Sequence, residues 1–300
     1  MNISIPLPKD YSFEKTAHRV KTFEKTTEIE HDGKLWRALR LSSRAIVTGV
    51  CYNQGKHLLI ESHDDLSSAE KVELEKWMTY RWATNVDLSD FYIEMSKHPV
   101  LSTIVKERIG LHIVRDPDLY ECLIRTIISQ QLNLAFAGTL INRFIDQFGE
   151  KILYMDKWFP VFPTADQIAG LHYQDLTNLQ MTLRKAEYII DLSRSIVEGK
   201  MDLSLLHKKS NEEVMDYLLS FRGIGRWTAE CLLIFGYGRS NLLPGADIGL
   251  RNALQMVYNL KTRPNEADVR ILARDWNPYA SYVTFYLWDF VTQQNKHPKK

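Results

Sequence analysis

The stretch Phe221-Arg222-Gly223-Ile224-Gly225-Arg226-Trp227-Thr228-Ala229 decides how this chain is read. Before it, Val214, Met215, Leu218 and Leu219 recur at helical spacing, and Ser210 with Glu213 fits a capping box at the head of that helix. After it, a second helix begins at Arg226. Two helices therefore meet through a Gly-x-Gly turn within residues 211–235. Gly223 and Gly225 are both expected to take positive φ, because neither has a Cβ to clash, and the turn then leaves several amide N–H groups unpaired at the start of the second helix. Such amides grip a phosphate without reading base sequence. A tight connection that needs glycine for steric reasons alone is the other reading of the same residues.

Beyond this turn, Leu243-Pro244-Gly245-Ala246 leads to Asp247, followed by Leu250, Leu254 and Val257 at helical spacing. Asp247 is the only acid between Glu230 and Glu266. It suits a helix N-cap. A carboxylate at a helix N-terminus also sits in a favourable field, which suits an enzyme needing a fixed negative charge rather than an acid. The two roles are compatible.

The 300 residues allow two domains, and 45% of them are hydrophobic, ample for packed cores. Lys+Arg 38 against Asp+Glu 37 gives a net charge of +1, so any contact with nucleic acid must be local rather than a broad basic coat. Cys51, Cys122 and Cys231 are scattered and form no C-x-x-C pair, zinc knuckle or four-thiolate cluster, and they read as reduced thiols. The start of the chain lacks a signal-peptide pattern and no stretch has the length of an apolar membrane span. A cytoplasmic protein is expected, associated with the nucleoid if the source is bacterial, with no membrane partner.

Residues 1–88 read as a small antiparallel sheet with a helix. Leu35 to Leu41, Ala45 to Cys51 and His57 to Glu61 are strand-like, the last two joined by a turn at Tyr52 to Gly55, and Ser67 caps a helix carrying Leu74, Trp77 and Met78. From residue 89 to 300 the pattern is mostly helical. Asp118 precedes a helix with Leu123 and Ile127, Gly149 closes the next, and Thr164 and Asp175 sit ahead of others. The fold class is α+β: a small sheet domain, then a helical region in two lobes with the active cleft between them.

The hairpin segment, the Pro-Gly loop and Asp247 together resemble the helix-hairpin-helix DNA glycosylase superfamily. Within it, His98-Pro99-Val100-Leu101, Asp116-Pro117-Asp118-Leu119-Tyr120-Glu121, Ile127-Ile128-Ser129-Gln130-Gln131-Leu132-Asn133, Arg184-Lys185-Ala186-Glu187 and the run from Trp276-Asn277-Pro278-Tyr279 to Trp288 are most similar to the alkylbase branch, the DNA-3-methyladenine glycosylase II type. The resemblance covers residues 90 to 290 well and the first 88 only in outline.

It implies that Asp247 supports hydrolysis of an N-glycosidic bond in damaged duplex DNA by a monomeric enzyme without a catalytic cofactor. Relatives that also cleave the strand carry a lysine on the second hairpin helix; the matching residue here is Trp227, which implies no lyase step. Gly223, Gly225, Arg226 and Thr228 would hold the DNA backbone. At Gln131-Leu132 the resemblance places a wedge that fills the gap left by a flipped base, with Leu132 inserted and Gln131 beside it; burial of Leu132 between helices is the alternative. Trp227 and Trp288 would offer aromatic faces to a cationic base. Cys231 and Ile248 complete the pocket, and both depart from a tyrosine and an aromatic often found there. The carbonyls of Leu219, Phe221 and Ile224 would hold a sodium or potassium ion. A glycosylase for deaminated or oxidised bases, or a DNA-damage binder without chemistry, are the alternative functions.

Overall fold

The computed structural model describes residues 2–23, 27–53, 56–62 and 64–296. The expected turn residues Gln54 and Gly55 and the tail from His297 lie outside them. Five strands, β1 (Asn2–Pro6), β2 (Ile29–His31), β3 (Lys34–Arg40), β4 (Ala45–Asn53) and β5 (His57–Ser62), form one antiparallel sheet in the order β1-β5-β4-β3-β2. Strand alternation gives the sheet two faces. One carries Leu35, Leu39, Leu58 and Ile60 and packs against Ala17 and Val20 of helix Phe13–Phe23 and Leu74 and Met78 of helix Ser68–Arg81.

The other face is also covered. Trp36, Ala38 and Val47 pack against Phe159 and Val161, brought there by a hairpin of β6 (Lys151–Tyr154) and β7 (Lys157–Pro160). The sequence reading gave this region as helical. The hairpin forms because Met155 and Asp156 both take positive φ, 50° and 57°, closing a two-residue turn between Tyr154 and Lys157.

Helix starts follow their caps. The Ser67 and Ser210 side chains accept from the amides of Glu70 and Glu213 in capping boxes, and Asp118 accepts from the amides of Tyr120 and Glu121. Thr164 caps as expected, whereas Asp175 lies inside its helix: His172 is the cap, and the Asp175 carboxylate reaches back to accept from the His172 amide at 2.8 Å.

A buried ionic network ties the sheet to the helical region. Arg37 of β3 donates to Glu28 at 3.1 Å and to Glu121 at 2.7 Å, Arg81 donates to Glu28 at 2.6 Å and to Asp116 at 3.1 Å, and Arg125 donates to Glu121 at 2.7 Å. Both Arg37 and Arg81 lie over the Trp77 ring. Arg81 and Glu28 are buried, so these charges depend on each other rather than on water.

The helical region has two cores. The first gathers Leu123, Ile127, Phe144, Ile189, Leu218 and Ile224 from helices Leu119–Ser129, Leu134–Phe148, Leu183–Val197 and Asn211–Leu219 and the hairpin turn. The second gathers Phe91, Leu254, Val269, Trp276 and Tyr286, so that residues from Leu88 onward join the C-terminal helices Ile248–Val257, Glu266–Leu272 and Ala280–Lys296. Phe235 and Leu242 pack against both cores. Phe235 belongs to Leu232–Gly236, where the second hairpin helix widens into a π turn, a distortion that recurs at functional sites. Among the described residues no helix is long and apolar enough to cross a membrane.

Candidate active site and nucleic-acid interface

The hairpin is built as the sequence suggests, with one difference. Gly223 has φ +100°, and a Cβ there would meet the Tyr188 ring at 2.5 Å, so only glycine fits. Gly225 instead has φ −91° and ψ 172°, extended backbone open to any residue, and serves as the N-cap of Arg226–Cys231. Its expected positive φ is therefore not found: the single left-handed residue already turns the chain. A Cβ at Gly225 would meet nothing within 4 Å, which leaves the amides of Arg226, Trp227 and Thr228 approachable. Those amides have no acceptor among the described residues.

The Thr228 hydroxyl is buried and accepts from Gln130 Nε2 at 2.8 Å, so Thr228 presents its amide and not its side chain. The same Gln130 nitrogen donates to the Gly223 carbonyl at 2.9 Å. Lys185 Nζ donates to the carbonyls of Ile128 and Gln130 at 2.6 and 2.9 Å. Gln130 and Lys185 thus lock the 130–133 loop to the hairpin. Sequence reasoning quoted both residues but gave them no role.

That loop turns at Gln131, which takes φ +57° and is exposed. Leu132 is partly buried and packs against the first helical core, while Leu134 is 53% exposed at the start of the next helix. The projecting groups here are Gln131 and Leu134, with Leu132 folded back beneath them.

Asp247 caps helix Ile248–Val257, and its carboxylate is the centre of the site. Oδ1 accepts from the Leu250 amide at 2.7 Å and from Trp288 Nε1 at 2.9 Å, and Oδ2 accepts from Trp227 Nε1 at 2.9 Å. Indole and amide N–H groups only donate. A carboxylate offers about four lone-pair directions, so one on Oδ2 is left for a further partner. The two tryptophans were expected to present ring faces to the base; in the structure each also presents its N–H edge to Asp247.

Gly249 explains how Trp288 comes so close. A Cβ on it would lie 3.0 Å from Asp247 Oδ1 and 3.2 Å from Trp288 Nε1. Nothing in the spacing of a lone glycine signalled this. Phe235 stacks on Trp288 with ring centroids 6.1 Å apart and planes at 20°. Cys231 is buried, and burial pushes its thiol well above the usual range, with the charges of Asp247 and Glu230 adding to the rise and Arg19 opposing it. Ile248 is 59% exposed beside Asp247.

Arg226 is exposed at the hairpin and donates to Glu230 at 3.2 Å. Burial raises the Glu230 carboxyl to about 7, with Arg226 pulling the other way. The carbonyls of Leu219 and Ile224 have no donor among the described residues, whereas that of Phe221 accepts from the Ile224 amide at 3.2 Å. Oxygen donors of this kind fit a hard monovalent cation. Among the described residues no cluster of His, Cys, Asp and Glu side chains could hold a metal.

A helix-hairpin-helix turn, a Pro-Gly loop and a capping aspartate held by two indoles define a class. The family model for HhH-GPD superfamily base excision DNA repair proteins matches residues 124–278, more than half of the chain, and the chain belongs to that superfamily. A DNA-3-methyladenine glycosylase of Bacillus subtilis is 31% identical over 236 residues, 78% of each protein. A second Bacillus subtilis protein, itself only provisionally assigned as a DNA-3-methyladenine glycosylase, is 45% identical over 188 residues, 63% of this chain and 64% of that one. This chain thus spans just under two thirds of that relative. Among solved structures, a 3-methyladenine DNA glycosylase from Archaeoglobus fulgidus superposes with a TM-score of 0.86 at 23% identity, covering 98% of this chain and 99% of the other. Its overall fold is shared.

Proposed function

We propose that the protein is a monofunctional DNA glycosylase that hydrolyses the N-glycosidic bond of alkylated purines in duplex DNA, 3-methyladenine foremost and 7-methylguanine next. The observation that carries this reading is the Asp247 carboxylate, fixed by Trp227, Trp288 and the Leu250 amide with one lone-pair direction open. The glycosylase names of its relatives support it.

The base is attacked only outside the stack. The free amides at 226–228 hold the phosphate backbone, Arg226 adds charge, and Gln131 with Leu134 fills the gap left by the flipped nucleotide. Loss of the base builds positive charge at the sugar C1′. A fixed carboxylate beside it lowers the barrier and orients water for attack on that carbon. An alkylated purine already carries positive charge, so it leaves without a proton from the protein, and one carboxylate suffices where polysaccharide glycosidases use two. A sodium or potassium ion at the Leu219, Phe221 and Ile224 carbonyls would stiffen the hairpin turn. The working unit is a monomer on damaged DNA, in the cytoplasm.

Trp227 stands where a lyase would carry its amine, and Lys185 is held by two carbonyls. The product is therefore an intact strand with an abasic site. Borohydride added during turnover is expected to trap no covalent protein–DNA species. Efficient trapping would show that an amine attacks C1′ and would overturn the monofunctional reading.

The hairpin role has its own check. Because Gly225 is extended with open space around it, Gly225→Val leaves the fold intact and puts bulk where a phosphate would sit. Affinity for damaged and undamaged duplexes is expected to fall together, by about tenfold or more, in titrations at fixed salt. Unchanged affinity for undamaged DNA would remove Gly225 from the interface.

A further inference from the structure

The proposed pocket has few polar groups left for a base. The Trp227 and Trp288 N–H groups are spent on Asp247. The Cys231 thiol is a weak donor and buried, and Ile248 is apolar. The nearest strong donor comes from the other end of the chain. Arg19, on the N-terminal helix Phe13–Phe23, lies over Phe235 and Phe285, its guanidinium carbon 5.5 and 5.6 Å from the two ring centroids. Phe235 in turn stacks on Trp288. A continuous path Arg19–Phe235–Trp288–Asp247 thus links the sheet domain to the catalytic carboxylate, and Arg19 and Asp247 both act on the Cys231 thiol.

A purine whose glycosidic nitrogen sits beside Asp247 extends its six-membered ring away from the sugar, toward the wall formed by Cys231 and Phe235. A guanidinium stacked on an aromatic ring keeps its N–H donors in the stacking plane, and it donates without ever accepting. Its natural partner is the O6/N7 edge of a 6-oxopurine; the 6-amino group of an adenine offers it only another donor. A mere staple between domains would be served by an apolar side chain, with no charge to place against Phe235.

We propose that Arg19 is the specificity-determining residue of the base pocket, donating to the O6/N7 edge of a flipped 6-oxopurine and so extending excision to deaminated adenine. The inference rests on the glycosylase reading above. It makes the N-terminal domain part of the substrate site.

The test is single-turnover release of hypoxanthine and of 3-methyladenine from otherwise identical duplexes by wild type, Arg19→Met and Arg19→Lys. Met keeps an apolar stem over the rings and Lys keeps the charge without the planar fork, so neither leaves an empty interface. Wild type is expected to release both bases. In both variants the hypoxanthine-to-3-methyladenine rate ratio is expected to fall about tenfold, most in Arg19→Met. An unchanged ratio, whether both rates fall or neither does, would make Arg19 a domain staple and overturn the inference. So would a wild type that releases 3-methyladenine but no hypoxanthine, and this would leave the proposed alkylpurine activity standing. A wild type that releases neither base would overturn that activity and this inference with it.

Discussion

Asp247→Asn is expected to slow single-turnover base release by at least about 10²-fold while leaving the protein folded and able to bind DNA. The geometry makes this substitution informative. The amide oxygen of Asn can replace Oδ1, keeping the bonds from the Leu250 amide and Trp288 and so the cap of helix Ile248–Val257. The amide nitrogen then faces Trp227 Nε1, donor against donor, where Oδ2 now accepts at 2.9 Å. Trp227 is half-buried, and its lost acceptor costs about 1 kcal/mol of stability. The loss in rate far exceeds anything that small change explains, because the negative charge facing C1′ is gone. Release within a few-fold of wild type would remove Asp247 from the chemistry.

The second large effect is on stability. Glu28→Gln changes no volume, yet its Oε1 is the shared partner of Arg37 and Arg81. With that charge removed, two buried guanidiniums face each other across Trp77 with Glu121 and Asp116 as the remaining carboxylates. Breaking a buried ionic cluster from one side costs about 3–5 kcal/mol. Chemical denaturation of wild type and variant is expected to show a loss of that size, and a difference under 1 kcal/mol would mean that the network is not what joins the sheet to helix Leu119–Ser129.

The parts of the molecule that were legible in the sequence are those whose signal is local. The hairpin turn, the Ser67 and Ser210 caps and strands β3 to β5 each follow from a few neighbouring residues. Asp247 was legible because its cap position, its isolation from other acids and the Pro-Gly loop before it coincide. What was missed needed distance in sequence. The β6–β7 hairpin depends on a sheet more than a hundred residues earlier to cover its apolar face, so its residues alone read as part of a helical run. Gln130 and Lys185 act through carbonyls and a hydroxyl on other segments, and Gly249 matters only because Trp288 arrives beside it. The tryptophans were placed at the pocket from resemblance, but that their N–H edges converge on one carboxylate is a property of three elements meeting. The assumption that both hairpin glycines are left-handed treated a composition as a conformation; one such residue, Gly223, is enough to reverse the chain.

The most direct measurement of the proposed activity is the release of free base from alkylated duplex DNA with protein in excess, followed by chromatography of the small molecules and by strand analysis before and after alkali. The expected result is 3-methyladenine in the free fraction, with little normal adenine or guanine, and strands that break at the lesion only after alkali. Absence of free base under conditions where the protein binds the duplex would contradict it and leave a DNA-binding protein without chemistry.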